Sequence, residues 1–154
     1  MDRAETVVVR TVHHRGWRRH RISMNAVNRI EEGDVDRLVE IFYARVPEDP
    51  LIGPVFLRQV EDWPAHLALL KSFWKTVPGL TGEDGELLPR VFTGNPMQTH
   101  LKLDLEPKHF VRWLALFAET AREALGAEKA EIFVARSERI AETLQRGIAA
   151  QRGQ

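Results

Sequence analysis

From Asp34 onward the apolar residues recur at three- and four-residue spacing, the period of an amphipathic helix, and no stretch alternates long enough for a strand. Val35, Leu38, Val39, Phe42 and Val46 make the first stripe, with Asp34 as its expected N-cap and Pro47 as its stop. A second stripe, Trp63, Leu67, Leu70, Trp74 and Val77, opens at Asp62-Trp63-Pro64 and ends at Pro78-Gly79. There a capping carboxylate precedes a proline suited to the first turn. Asn95-Pro96 begins a short helix carrying Met97, His100 and Leu101. Glu106-Pro107 opens a long one with Phe110, Trp113, Leu114, Phe117, Ala121 and Leu125 on one face, and Gly126 supplies its stop. The last runs from Glu128 to Arg146 with Phe133, Ser137, Ile140 and Leu144 inward and Gly147 after it. Residues 48–56 form a proline-punctuated corner ending on Phe56, and residues 78–94, rich in glycine and charge, read as an irregular connection. Long connections inside a compact domain are often functional. The pattern predicts an all-α domain over residues 28–150, a basic extension over 1–27 and a tail over 151–154.

Composition narrows the chemistry. A chain of 154 residues with 44% hydrophobic content suits one domain with a real core. Without cysteine there is no disulfide framework, thiolate metal site or cysteine nucleophile, and the chain suits a reducing cytoplasm. No apolar run approaches the ~20 residues of a membrane-spanning helix, so no membrane partner is expected. The formal net charge of zero gives no global attraction to nucleic acid. Charge is nevertheless uneven: Arg3, Arg10, Arg15, Arg18, Arg19 and Arg21 face only Asp2 and Glu5 in the head of the chain. That head reads as a basic arm for an anionic partner, an arginine-rich targeting segment, or a tail with no role. Met24 is an alternative start.

Few residues point to chemistry. Glu106-Pro-Lys-His109 matches the Glu-x-x-His element of di-iron bundles, but those need two copies and further helix carboxylates. Zinc-peptidase, phosphate-loop and dinucleotide glycine motifs are absent. His100, beside Met97 and Leu101, borders the apolar face of its short helix. A neutral imidazole there suits axial ligation of haem iron, or is a core-edge histidine satisfied by a carbonyl. His66 lies on the stripe of Leu70 and Trp74; Tyr43, the only tyrosine, follows Phe42; Trp113 sits mid-stripe. Each of the three reads equally as core packing, although a buried phenol or indole needs a partner for its polar tip.

The order of motifs is more specific. Phe42-Tyr43, Gly53-Pro-Val-Phe56, Trp63-Pro-Ala-His66, Phe73-Trp74, Gly94-Asn-Pro-Met-Gln-Thr-His100 and His109-Phe-Val-Arg-Trp113 follow one another across Val35 to Ile148. This resembles the group III truncated haemoglobins, bacterial globins with a two-over-two helical sandwich around haem b. The resemblance implies that His100 is the proximal iron ligand and that Tyr43, His66 and Trp113 are the distal polar groups. It places Phe56 and Leu70 against the porphyrin, Phe73 and Trp74 on the pocket wall, and Met97 and Phe92 along the proximal side. Phe92 departs from the family, which often has a tyrosine there, and the Pro78–Arg90 connection is longer and more charged than usual.

The implied ligands are O2, NO, CO or peroxide. Hydrogen bonds from Tyr43 and Trp113 to a ligand bearing negative charge are each worth about 1.5–3 kcal/mol. Two such donors hold oxygen too tightly for delivery. The resemblance therefore implies redox chemistry, NO detoxification or peroxide handling, with a reductase as partner, rather than oxygen transport. His66 is a third donor or a gate. A gas sensor and a haem-free helical interaction module are the competing classes.

Overall fold

A computed structural model describes residues 29–77, 80–82, 85–88, 92 and 94–153. The expectations placed on residues 1–28, including the basic head and Met24, lie outside the described residues.

Six helices carry the fold. Strand β1 (Ile30–Glu31) leads into α1 (Glu32–Arg45), followed by a 3-10 turn over Val46–Glu48, α2 (Gly53–Gln59) and α3 (Trp63–Trp74). Strand β2 (Leu80–Thr81) precedes the short α4 (Pro96–Leu101), the long α5 (Pro107–Leu125) and α6 (Ala127–Arg152). Helix α1 packs on α3 and on α5, α5 folds back on α6, and α4 rests on α6. That is the layering a two-over-two helical sandwich requires.

Local chemistry explains most helix ends. The Asp62 side chain accepts the Ala65 N–H at 3.1 Å, and Asn95 accepts the Gln98 N–H at 3.1 Å, with prolines in both first turns. Glu106 and His109 form a reciprocal capping box at the start of α5, His109 Nδ1 accepting the Glu106 N–H at 2.9 Å. The Glu-x-x-His motif is thus a helix start. Gly126, at φ 80°, ends α5 in a conformation that L side chains rarely adopt.

Four sequence expectations change. Asp34 is the third residue of α1, not its cap: Glu31 is the cap, and Asp34 accepts its N–H at 2.9 Å. Asp34 is also buried and paired with Lys129 at 2.9 Å, which draws the starts of α1 and α6 together. Helix α3 ends at Trp74, before Pro78. Residues Leu80–Thr81, read as irregular, pair in parallel with Ile30–Glu31. Finally, α6 does not stop at Gly147 but continues to Arg152, through most of the expected tail, because Ile148 extends its buried face. Gly147 instead leaves room for Met97, whose sulfur lies 2.5 Å from where a Cβ would stand.

The main core gathers Val35, Leu38, Val39 and Phe42 from α1 with Trp74, Phe117 and Phe133. Trp74 stacks on Phe117 at 4.8 Å. Fully burying one large apolar side chain contributes roughly 1.5–3 kcal/mol, so this cluster anchors α3 to the α5–α6 pair. A smaller cluster, Leu105, Phe110, Ala141, Leu144 and Ile148, receives Met97 and Leu101 from α4. Those two contacts fix which face of α4 is turned away from α6.

The corner before α2 is tight. A Cβ on Gly53 would stand 2.7 Å from the Pro47 carbonyl oxygen and 2.9 Å from that of Val46. Both obstacles are backbone, so Gly53→Ala is expected to cost about 1–3 kcal/mol, read as a lowered urea midpoint. A midpoint equal to the parent's would mean the corner yields freely.

Candidate haem site

Tyr43 lies near the end of α1 and is buried to 5% exposure. Its ring meets Phe42 at 4.8 Å, Phe56 at 5.8 Å and His66 at 5.9 Å. His66 reaches it from the first half of α3, and Phe56 from α2. Trp113 arrives from the middle of α5, edge-on to Phe42 at 5.4 Å and stacked on Phe117 at 4.9 Å. The Trp113 indole stands near enough to the Tyr43 hydroxyl for its N–H to favour the charged form of the phenol. Four elements therefore bring Tyr43, His66, Trp113 and Phe56 into one aromatic cluster with three polar tips.

Electrostatics in this cluster follow from burial. Desolvation pushes the Tyr43 phenol far up, and the Trp113 indole offsets this only in part. The phenol therefore stays protonated and remains a donor at any physiological pH. Burial lowers the pKa of His66, which favours the neutral imidazole. Its Nε2 is buried and has no hydrogen-bond partner. An unsatisfied buried polar atom costs about 1–3 kcal/mol, so this nitrogen calls for a further partner at this spot.

His100 occupies the last full turn of α4. Its Nδ1 lies 2.6 Å from the Pro96 carbonyl oxygen. A carbonyl only accepts, so Nδ1 carries a proton, and in the neutral ring the lone pair is on Nε2. Such a bond also fixes the ring plane and raises the basicity of the other nitrogen, as second partners of metal-bound histidines do. The competing sequence reading, a histidine satisfied by a carbonyl, is met by the same bond. It satisfies one nitrogen and prepares the other.

Between Phe73, the Gly94–Met97 segment and the Glu131–Leu144 face of α6 lies a cavity of about 950 Å³. Its size is at the upper end of small-molecule and cofactor sites. Met97 and Phe73 line it, and Phe92 stands 5.2 Å from Phe73. Pro96 and Met97 bring the first half of the His100 helix to its wall, but the ring of His100 is not among the lining. Nor are Tyr43, His66, Trp113, Phe56 or Leu70, which belong to the packed region beneath α1. Trp74 is a core residue at 2% exposure and does not line the cavity. Arg136 and Arg139, which the sequence reading did not single out, stand on its wall, Arg136 over the Phe73 ring at 5.8 Å.

Relatives share this arrangement of helices. The chain is 30% identical over 121 residues to the Group 3 truncated hemoglobin ctb of Campylobacter jejuni subsp. jejuni serotype O:2, covering 75% of this chain and 89% of that relative. It belongs to the group 3 truncated haemoglobins. The crystal structure of the group III truncated hemoglobin from Campylobacter jejuni superposes with a TM-score of 0.65 at 29% identity, over 77% of this chain and 91% of that one. No protein-family model matches the chain.

Membership makes this truncated haemoglobin a haem globin that binds diatomic ligands. Its own residues fit the group: an imidazole with a free Nε2, an unsatisfied buried nitrogen on His66, and a cavity beside the proximal helix. No helix among the described residues is long and apolar enough to cross a membrane. The described residues also hold no cluster of three or more His, Cys, Asp or Glu suited to a bare metal ion. A single imidazole suffices where a porphyrin supplies the remaining ligands.

Proposed function

We propose that this globin holds haem b through His100 Nε2 and uses the Tyr43–Trp113–His66 cluster for redox chemistry on a diatomic ligand or peroxide. NO detoxification and peroxide handling are the reactions meant, in the cytoplasm and with a reductase as electron source. Met97, Phe73, Phe92, Leu70 and Phe56 would supply apolar contacts to the macrocycle, with Trp74 backing them from the core. When bound, haem supplies an iron centre that takes a small ligand and shifts electron density onto it.

The observation that carries this reading is the convergence of Tyr43, His66, Trp113 and Phe56 from four helices, with the buried His66 Nε2 lacking a partner. An indole N–H directed at the phenol's acceptor side leaves the O–H proton free to point elsewhere. A hydroxyl that accepts one bond also donates more strongly in the next, because hydrogen bonds in series polarise one another. With the indole N–H so directed, the support is for one donor reinforced by Trp113. Parallel donation by both residues, expected from the sequence, has less support.

Tyr43 then holds negative charge on a ligand without giving up its proton, since burial keeps the phenol protonated. His66, neutral and with a free buried nitrogen, can complete the polar cluster or turn aside to admit a ligand. Tight retention of oxygen opposes delivery and favours reaction in place.

Turnover tests this. The reduced, oxygen-loaded protein should consume added NO or peroxide with a supplied reductant, and Tyr43→Phe should slow that consumption. Oxygen that dissociates freely, with no turnover of either reactant above that of free haem, contradicts the redox assignment.

A further inference from the structure

Asp49 is a buried carboxylate with no part in the site described above. Its side chain is 2% exposed, lies in the corner between α1 and α2, and accepts the N–H groups of Leu51 and Ile52 through Oδ1, both at 3.0 Å. Oδ2 receives Arg112 Nε at 2.6 Å. The Asp49 carbonyl accepts the Gly53 N–H at 2.9 Å, and the Ile52 carbonyl accepts the N–H groups of Val55 and Phe56. One residue thus sets the first turn of α2.

Both ends of this contact lead to the Tyr43 hydroxyl. On one side, α2 carries Phe56, whose ring packs on Tyr43 and His66. On the other, Arg112 is the residue before Trp113, whose ring packs edge-on to Phe42, itself against Tyr43. Arg45, the other cation at this corner, is committed to Glu123 at 2.6 Å and Thr120 at 3.1 Å. Arg112 is therefore the counter-charge of Asp49. Burial pushes the Asp49 carboxyl up, but the Ile52 N–H, Arg112 and the Leu51 N–H outweigh it and hold it below the usual range. The Asp49 carboxyl therefore stays ionised at neutral pH.

We infer that the Asp49–Arg112 pair is a clamp that sets how Trp113 and Phe56 stand against Tyr43, making both members positioning residues for the ligand bound at the haem. The inference rests on the distal role proposed for Tyr43. A buried, charge-assisted contact has a narrow geometry. It fixes the height of α5 against the corner, and with it the register of Trp113 on Tyr43. Arg112 is 43% exposed, so its charge is not needed for burial of its own helix.

The test uses the haem-loaded protein saturated with carbon monoxide, with Arg112→Ala, Arg112→Lys, Asp49→Asn and Tyr43→Phe. Two readouts report position rather than stability: the C–O stretching frequency and the nuclear magnetic resonance position of the Trp113 indole N–H. The oxygen release rate, measured on the same variants loaded with oxygen instead, is the third. Arg112→Ala should move both spectra and speed release by about three- to tenfold, and Arg112→Lys should restore most of the parent values. In a Tyr43→Phe background Arg112→Ala should add nothing to release. If Arg112→Ala does not fold, Asp49→Asn stands in for it, since it keeps an oxygen for the two backbone N–H groups and removes only the charge. A lowered melting temperature with unmoved spectra and release in either variant overturns the clamp. Unchanged release in Tyr43→Phe alone instead overturns the distal role beneath it.

Discussion

Replacing Tyr43 with phenylalanine is expected to raise the oxygen release rate by about ten- to a hundredfold, the equivalent of one hydrogen bond to a charged acceptor worth 1.5–3 kcal/mol. The substitution removes the hydroxyl and keeps the ring that packs against Phe42, Phe56 and His66. Trp113→Phe should speed release by less, because in the proposed arrangement the indole acts through Tyr43. The double variant should then release oxygen no faster than Tyr43→Phe, the non-additivity of two groups sharing one bond. Stopped-flow displacement of oxygen measures all three. Additive effects would mean that each residue donates to the ligand separately, and unchanged release in every variant would remove the distal half of the account.

His100→Ala should produce the other large effect, either loss of haem or haem with an abnormal axial partner. Among the described residues the other histidines are His66, which packs with the distal cluster, and His109, whose Nδ1 caps α5. Cysteine is absent from the chain. Met97 shares the helix, but its sulfur is turned into the packing at Gly147. No other described residue is poised to take over from the imidazole. External imidazole should restore a near-parent spectrum if the substitution leaves only a gap. A His100→Ala protein that keeps the parent's five-coordinate ferrous spectrum refutes the proximal assignment.

Much of this was legible in the sequence because it is local. Asp62, Asn95, Glu106 and Gly126 mark helix ends through bonds spanning three or four residues, and all four act in the structure at the helices they announce. The stripe Val35, Leu38, Val39, Phe42 and Val46 is buried throughout. What the sequence hid depends on partners distant in the chain. The parallel pairing of Ile30–Glu31 with Leu80–Thr81 joins two segments too short to show any alternation. Gly147 reads as a stop until Met97, from another helix, is seen to need the space. Trp74 and Trp113 carry the same periodicity signal, yet one is sealed between Phe117 and Phe133 while the other reaches Tyr43.

The site divides in the same way. The short helix and its histidine are written in Asn95-Pro-Met-Gln-Thr-His100, and the i−4 carbonyl that takes the Nδ1 proton comes with any such helix. The approach of Trp113 to the Phe42–Tyr43 pair is a register between α1 and α5, which no spacing within either helix encodes. Asp49 did carry a signal: an aspartate before proline in a tight corner commonly accepts the next backbone N–H groups. Its second partner, Arg112, lies 63 residues away and had none.

The most direct measurement is the absorption spectrum of the purified protein after reduction without added ligand. A Soret band with the signature of five-coordinate, histidine-ligated ferrous haem is the predicted result, and it should be lost or altered in His100→Ala. A protein that shows no Soret absorbance and takes up none from added hemin would contradict the account at its root.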